Sequence, residues 1–381
     1  MTSAPDYSLI PDLHAYLASH DGGKFQANRI EALSGGTANF AFRLHLKTPL
    51  RDGSETLVLK HAKGFLASAR EFKFDVKRQT FEAEALRRVR AWLPQGSLAS
   101  VPEVHLFDEE NHILIMDDCG HGPDSGTLKS LLLAGRITMS LADEIGRALG
   151  VFLGALHRKS EENRSDLEFF DANTQAKVVS AWATYGRLAS TLSNADNLPK
   201  LVGLEVPKEK LEEVSKIGEE MSRRVNAANA ESSPLVMGDF WPGNIMITLS
   251  TSNALQRIAV LDWELVKPGL AGLDIGQFCG EMHQAQMCYP QYADVASRTV
   301  AALLSAYAQE NEKAGMKVVA RDALTHCGAH LIAWTPRTSW AEAERTQEVV
   351  KEGLEFLTSG FDGKEERLRT SCVAPLVETS T

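Results

Sequence analysis

The pattern of apolar and polar positions changes character about a third of the way along the chain. Before that point, short runs rich in β-branched and aromatic residues stand between turn residues. They predict strands over residues 28–33, 40–47 and 56–60, with the loop Ser34-Gly35-Gly36-Thr37-Ala38-Asn39 between the first two. Phe81, Ala85, Leu86 and Val89 recur at helical spacing and predict a helix over 80–92. Two further strands, 103–107 and 112–116, flank the turn Asp108-Glu109-Glu110-Asn111. Residues 117–126 are rich in Gly, Asp and Pro and read as a connector. Beyond them, helical periodicity dominates. Ser140 and Asp143 form a capping-box-like start to a helix reaching about His157. More helices are expected around 173–189, 208–229, 291–312, 318–334 and 341–358. The expected organisation is a strand-rich N-terminal lobe (1–116), a hinge (117–126), a mainly helical C-terminal lobe (127–365) and a loosely held polar tail (366–381).

Composition sharpens this picture. A chain of 381 residues is long for one core, which agrees with two lobes. A net charge of −10 argues against nucleic acid as a partner, because phosphate backbones need a basic surface. The stretch Lys60 to Arg90 is locally basic and reads as a solvated helix face or as facing an anionic ligand. Five scattered cysteines suggest neither a disulfide framework nor a zinc site. The first residues lack the pattern of a signal peptide, and no apolar run approaches a membrane span. A reducing, cytoplasmic setting without membrane attachment is the expectation; oligomeric state is left open.

The chemistry concentrates in Leu235-Val236-Met237-Gly238-Asp239-Phe240-Trp241-Pro242-Gly243-Asn244, followed after two apolar runs by Leu261-Asp262-Trp263-Glu264. If 245–249 and 257–261 pair as a hairpin about the turn 250–254, Asn244 and Asp262 meet at its open end beside Asp239. Phosphoryl transfer needs oxygen ligands for a hard cation and a carboxylate that accepts the acceptor's proton. Asp239 suits the base; Asn244 and Asp262, with Glu264 in reserve, suit Mg²⁺. Each residue alone is an ordinary turn or strand-end residue; the combination at this spacing is the signal.

The N-terminal lobe offers the complement. Glycines in the loop Ser34-Gly35-Gly36-Thr37-Ala38-Asn39 let backbone N–H groups approach phosphates, although a Gly-Gly turn alone is weak evidence. Lys60 at a strand end reaches phosphates if an acid holds it. Glu82 on the next helix is that acid, with Glu84 on another helix face a poorer choice.

These stretches resemble the aminoglycoside phosphotransferase and choline kinase group, which shares the two-lobed α/β (α+β) fold of protein kinases. Leu33-Ser34-Gly35-Gly36, Val58-Leu59-Lys60-His61-Ala62, Leu235-Val236-Met237 with Asp239, Leu261-Asp262-Trp263-Glu264-Leu265 and Ala329-His330-Leu331-Ile332-Ala333-Trp334-Thr335 carry the resemblance. The last two are similar to a fungal branch related to methylthioribose kinase and 4-hydroxytryptamine kinase. The resemblance implies ATP and Mg²⁺ as cofactors, Asp239 as the catalytic aspartate, Asn244 and Asp262 as metal ligands, and Lys60 with Glu82 as the phosphate-positioning pair. Residues from Met116 through Asp117 to Cys119 would meet adenine, and Asp274 would brace the catalytic loop. Met237 departs from the group's usual histidine and removes a polar brace there.

An aromatic acceptor would call on Trp241, Trp263, Trp334 or Trp340, with Trp263 and Trp334 foremost, although core packing is the commoner use of any one tryptophan. Glu281 or Glu264 would meet a substrate amine; a solvated helix acid is the plain alternative for Glu281. His157 reads as a buried core histidine and Arg337 as a surface arginine, with an anionic substrate group its other use. The expected partner is a small molecule bearing a hydroxyl: a 4-hydroxytryptamine-like phenol, a methylthioribose-like sugar or an amino alcohol. Only eleven residues separate Asp262 from Asp274, too few for the activation segment of a protein kinase. A non-catalytic nucleotide-binding protein would fit Met237 but not the complete set of Lys60, Asp239, Asn244 and Asp262.

Overall fold

The computed structural model describes residues 5–34, 36, 38–311 and 315–378. Its first part contains α1 (Ile10–Ser19), then β1 (Ala27–Ala32), β2 (Phe40–Leu46) and β3 (Thr56–His61). A small hairpin of β4 (Phe65–Leu66) and β5 (Ala69–Lys73) leads to α2 (Arg78–Trp92), β6 (Ala99–Ser100), β7 (Val104–Asp108) and β8 (Ile113–Asp117). Five strands form one antiparallel sheet in the order β1-β2-β3-β8-β7. Alternation along β8 assigns its faces. Ile113 and Ile115 pack with Leu13, Tyr16 and Leu17 of α1, whereas Leu114 and Met116 join α2 and the core of the following lobe.

After Asp117 the chain crosses to a second, four-stranded sheet through β9 (Ser125–Thr127). Helices follow: α3 (Leu128–Leu133), α4 (Met139–Glu162), α5 (Arg164–Asp171), α6 (Thr174–Thr184), α7 (Leu188–Leu192) and α8 (Lys208–Ala227). Next come β10 (Leu235–Val236), β11 (Ile245–Leu249), β12 (Leu255–Val260) and β13 (Lys267–Pro268), then α9 (Gly272–Cys288), α10 (Ala293–Glu310), α11 (Met316–Trp334) and α12 (Ala343–Asp362). The chain closes with α13 (Glu365–Thr370) and α14 (Ala374–Glu378). This is the expected mixed architecture, sheet-rich before residue 117 and mainly helical after it. The β11–β12 hairpin forms as expected, with Ile245 opposite Val260, and the Leu261 N–H donates to Asn244 O (2.8 Å) to close its open end.

Three expectations change. The cap of α4 is Thr138, whose side chain accepts from the Leu141 N–H, while Asp143 instead pairs with Arg147 and Arg298. α9 stands at Gly272–Cys288, where no helix was expected. The tail is not loose over its described length: Leu368, Val373, Leu376 and Val377 are buried in the main core, and this apolar burial fastens α13 and α14. No helix among the described residues is long and apolar enough to cross a membrane.

Candidate active site

β10 pairs with β13, and this short ribbon starts the loop that carries Asp239. Gly238 has φ +83°; a Cβ there would lie 2.4 Å from Lys267 Nζ and 2.5 Å from Leu265 O, so only glycine fits. Asp274, buried on α9, accepts from the Met237 N–H (2.8 Å) and the Gly238 N–H (2.9 Å). That carboxylate braces the loop through its backbone, so the buried Met237 side chain has only packing to do.

Asp239 accepts hydrogen bonds from Asn244 Nδ2 (2.8 Å) and Gln277 Nε2 (2.7 Å). Burial raises its carboxyl to about 6; the two amide donors oppose the shift and nearby Asp262 adds to it. Because Asn244 uses its amide nitrogen on Asp239, its amide oxygen remains for a ligand; it makes no hydrogen bond among the described residues.

Asp262 follows directly on the hairpin and holds φ +63°, a sparsely populated conformation for a residue with a Cβ. Lys60 Nζ donates to Asp262 and to Glu82 Oε1 (2.6 Å), tying the front sheet, α2 and the hairpin end together. Burial alone would lower the lysine's pKa, but Asp262 and Glu82 hold it above its ordinary value. Glu264 accepts from Asn39 Nδ2 (2.9 Å) and lies 3.4 Å from Arg78 Nε. Its carboxyl is pushed up to about 8, first by burial and then by Asp262 and Glu82.

A cavity of about 270 Å³ lies between the lobes. Ser34, Gly36, Asn39, Lys60, Met116, Asp117 and Cys119 line it from the front and hinge, and Asp239, Asn244, Asp262 and Glu264 from the back. Gly35 lies outside the described residues. Glu82 stands behind Lys60 rather than in the wall. At the hinge, the Asp117 carboxylate turns to His105 Nε2 (2.9 Å) and Arg257 (3.1 Å), whereas the Cys119 backbone pairs with no other backbone group of the described residues.

A second cavity, of about 300 Å³, shares Ala38, Asp239 and Glu264 with the first. Its walls include Phe72 and Phe74 from the front lobe, and Trp182, Tyr185, Arg187, Lys267, Gln277, His330 and Trp334. Trp334 lines this cavity. Trp263 does not: it is fully buried, donates to Val260 O (3.0 Å) and packs on Phe152. Glu281 is no substrate contact either, nor a solvated helix acid; it is buried behind His330, whose Nε2 lies 2.9 Å from its Oε1. Arg337 is occupied by Ala333 O, Thr191 and Asp196. His157 is the core histidine expected, 2.9 Å from Tyr307 Oη.

Sequence reasoning missed Gln277 and Lys267. Gln277 lies three positions beyond Asp274, so recognising a helix there would have placed both on one face. Lys267 Nζ is fully buried, donates to Leu265 O (2.9 Å), and is lowered to about 8 by burial against the pull of Asp274 and Asp239. No local pattern marks it.

Two lobes, a lysine–glutamate pair facing a hairpin-end aspartate, and a loop carboxylate at the junction of two cavities define a phosphotransferase of the kinase type. Residues 29–317 match the phosphotransferase enzyme family, and the chain belongs to it. It is 32% identical to a 4-hydroxytryptamine kinase of Psilocybe cyanescens over 90% of both chains. A 4-hydroxytryptamine kinase of Psilocybe cubensis is 30% identical, again over 90% of both. Methylthioribose kinase 1 of Oryza sativa subsp. japonica is 26% identical over 74% of this chain and 62% of that one. Among solved structures, the gentamicin complex of APH(2")-IIa aligns with a TM-score of 0.47 at 17% identity, covering 94% of this chain and 97% of that one.

Proposed function

We propose that the protein transfers the γ-phosphate of ATP to the hydroxyl of a small aromatic molecule, with Asp239 as the general base. The observation that carries this reading is that Asp239 lines both cavities, so a phosphate donor in one and an alcohol in the other meet at its carboxylate. The acceptor oxygen attacks the γ-phosphorus, the bond to the bridging oxygen of ADP breaks, and the hydroxyl proton passes to Asp239. Lys60, held charged by Glu82, directs its ammonium at the phosphates. Backbone N–H groups of Ser34, Gly36 and Asn39 would meet the phosphates, and the Cys119 backbone, unpaired with any backbone group of the described residues, would meet the adenine edge.

Mg²⁺ fits the donor set. No group of three or more His, Cys, Asp or Glu among the described residues could hold a metal unaided. Asn244 and Asp262 offer two hard oxygens, which suits an ion completed by phosphates and water, and Glu264 stands in reserve beside them. When bound, the ion neutralises charge on the phosphates.

For the acceptor, the aromatic walls and the 4-hydroxytryptamine kinases among the relatives support a phenol of hydroxyindole size. A methylthioribose-like sugar or an amino alcohol would leave those aromatic faces without a flat partner. Five unpaired cysteines and the need for ATP support a cytoplasmic setting. The test is ADP release and phosphorylated product from purified protein with Mg·ATP and a panel of phenols, sugars and amino alcohols. Wild type should act on a phenol and Asp239→Asn should be inactive at unchanged melting temperature; an active Asp239→Asn protein would overturn the assignment of the base.

A further inference from the structure

The acceptor cavity contains a cation with no acidic partner among the described residues. The Arg187 guanidinium lies 4.0 Å from the ring centroid of Trp182 and 5.7 Å from that of Trp334, and it makes no hydrogen bond or ion pair to a side chain among the described residues. Asp196, the acid whose charge it feels, is bound by Arg337 instead. A guanidinium stacked on indole faces keeps its N–H edge for a planar anion.

The carboxylates of the same cavity are all engaged. Asp274 accepts from two backbone N–H groups, Glu264 accepts from Asn39 and pairs ionically with Arg78, and Asp239 accepts from Asn244 and Gln277. Glu281, the natural partner for a substrate ammonium, lies outside the cavity, against His330. An acceptor whose charged end were a bare amine would therefore meet Arg187 with no spare acid to hold it.

We propose that the acceptor carries a carboxylate and that Arg187, packed over the rings of Trp182 and Trp334, receives it. The carboxylate takes two parallel N–H donors from the guanidinium, and its aromatic ring lies among the cavity's rings. Arg187 thereby selects an aromatic hydroxy acid over the corresponding amine. This inference rests on the proposal that the second cavity is the acceptor site.

The experiment uses the full chain with 4-hydroxyindole-3-propionic acid, its neutral primary amide and 4-hydroxytryptamine as matched probes. Binding is read by calorimetry in the presence of Mg·ADP, and phosphoryl transfer by ADP release with Mg·ATP. Wild type should bind the acid at least tenfold more tightly than the amide or the amine. Arg187→Gln should remove that preference by weakening the acid at least tenfold while weakening the amide by no more than about threefold, and Arg187→Lys should restore part of it, since a point charge attracts the anion without the planar fork. The inference is overturned if wild type binds the acid no more tightly than the amide, if the acid fails to bind at millimolar concentration, or if Arg187→Gln weakens acid and amide equally. Preference for the amine with normal turnover would refute the carboxylate and leave the kinase reading intact. Tight acid binding without phosphoryl transfer to any acceptor would do the reverse.

Discussion

Gln277 Nε2 lies 2.7 Å from Asp239 Oδ1 and donates its hydrogen bond to the carboxylate. The bond stabilises the ionised form and so works against the burial that raises Asp239 to about 6. Only ionised Asp239 can take a proton, so kcat/KM should rise with pH through about 6 and then level off. Gln277→Leu removes a donor to a charged group, worth about 1.5–3 kcal/mol, or roughly one to two pH units. The acidic limb of the pH–rate profile should move upward by that amount, with activity recovering at high pH. An unshifted limb would show that Gln277 does not tune the base.

Gly238 and Asp274 act on the same loop from two sides. The positive φ and the proximity of Lys267 Nζ and Leu265 O exclude a side chain at Gly238. Gly238→Ala should lower kcat by about a hundredfold or more, as expected when a positioned base shifts by about 1 Å. Asp274→Ala leaves the Met237 and Gly238 N–H groups buried without acceptors, at about 1–3 kcal/mol each. Its melting temperature should fall, whereas Asp274→Asn, with one acceptor oxygen retained, should fall less. Equal melting temperatures for the two variants would dismiss the bracing role.

These two positions also show where sequence reasoning succeeds and stops. The convergence of Asn244 and Asp262 is legible because two apolar runs about a turn can pair in few registers, and the Lys60–Glu82 pair because a buried lysine requires an acid. α9 is not legible, because Gly272, Gly276 and Gly280 look like loop residues. Their use appears only in three dimensions: a Cβ on Gly276 would lie 2.5 Å from Ala323 O, so these glycines let α9 approach α11. Missing that helix hides Gln277. The second cavity is hidden for another reason, since Phe72, Trp182, Arg187 and Trp334 are separated by long stretches of chain and no local period links them. The tail over 366–381 reads as loose because four buried apolar residues are diluted among polar and charged ones.

Lys267 is an ammonium without solvent exposure whose single described hydrogen bond is to Leu265 O, lowered by burial to about 8 from an ordinary 10.5. Keeping it charged in the folded state at neutral pH is unfavourable. The difference of 10.5 and 8 corresponds to about 3 kcal/mol as an order of magnitude. The sign follows from proton binding. Between pH 8 and 10.5 the unfolded chain holds this proton and the folded chain does not, so stability gains with rising pH across that window. Below pH 8 both states are protonated and the penalty is complete. Lys267→Met, similar in length and apolar, should therefore raise the melting temperature at pH 7, and its advantage should shrink as the pH climbs through 8 toward 10.5. The same substitution removes a positive charge beside Asp239, which should raise the carboxyl further and lower activity below pH 7. Melting curves and pH–rate profiles of the one variant test both halves. A variant less stable than wild type at pH 7, or equally advantaged at pH 7 and 10, would mean that the lysine is held by more than Leu265 and is not under electrostatic strain.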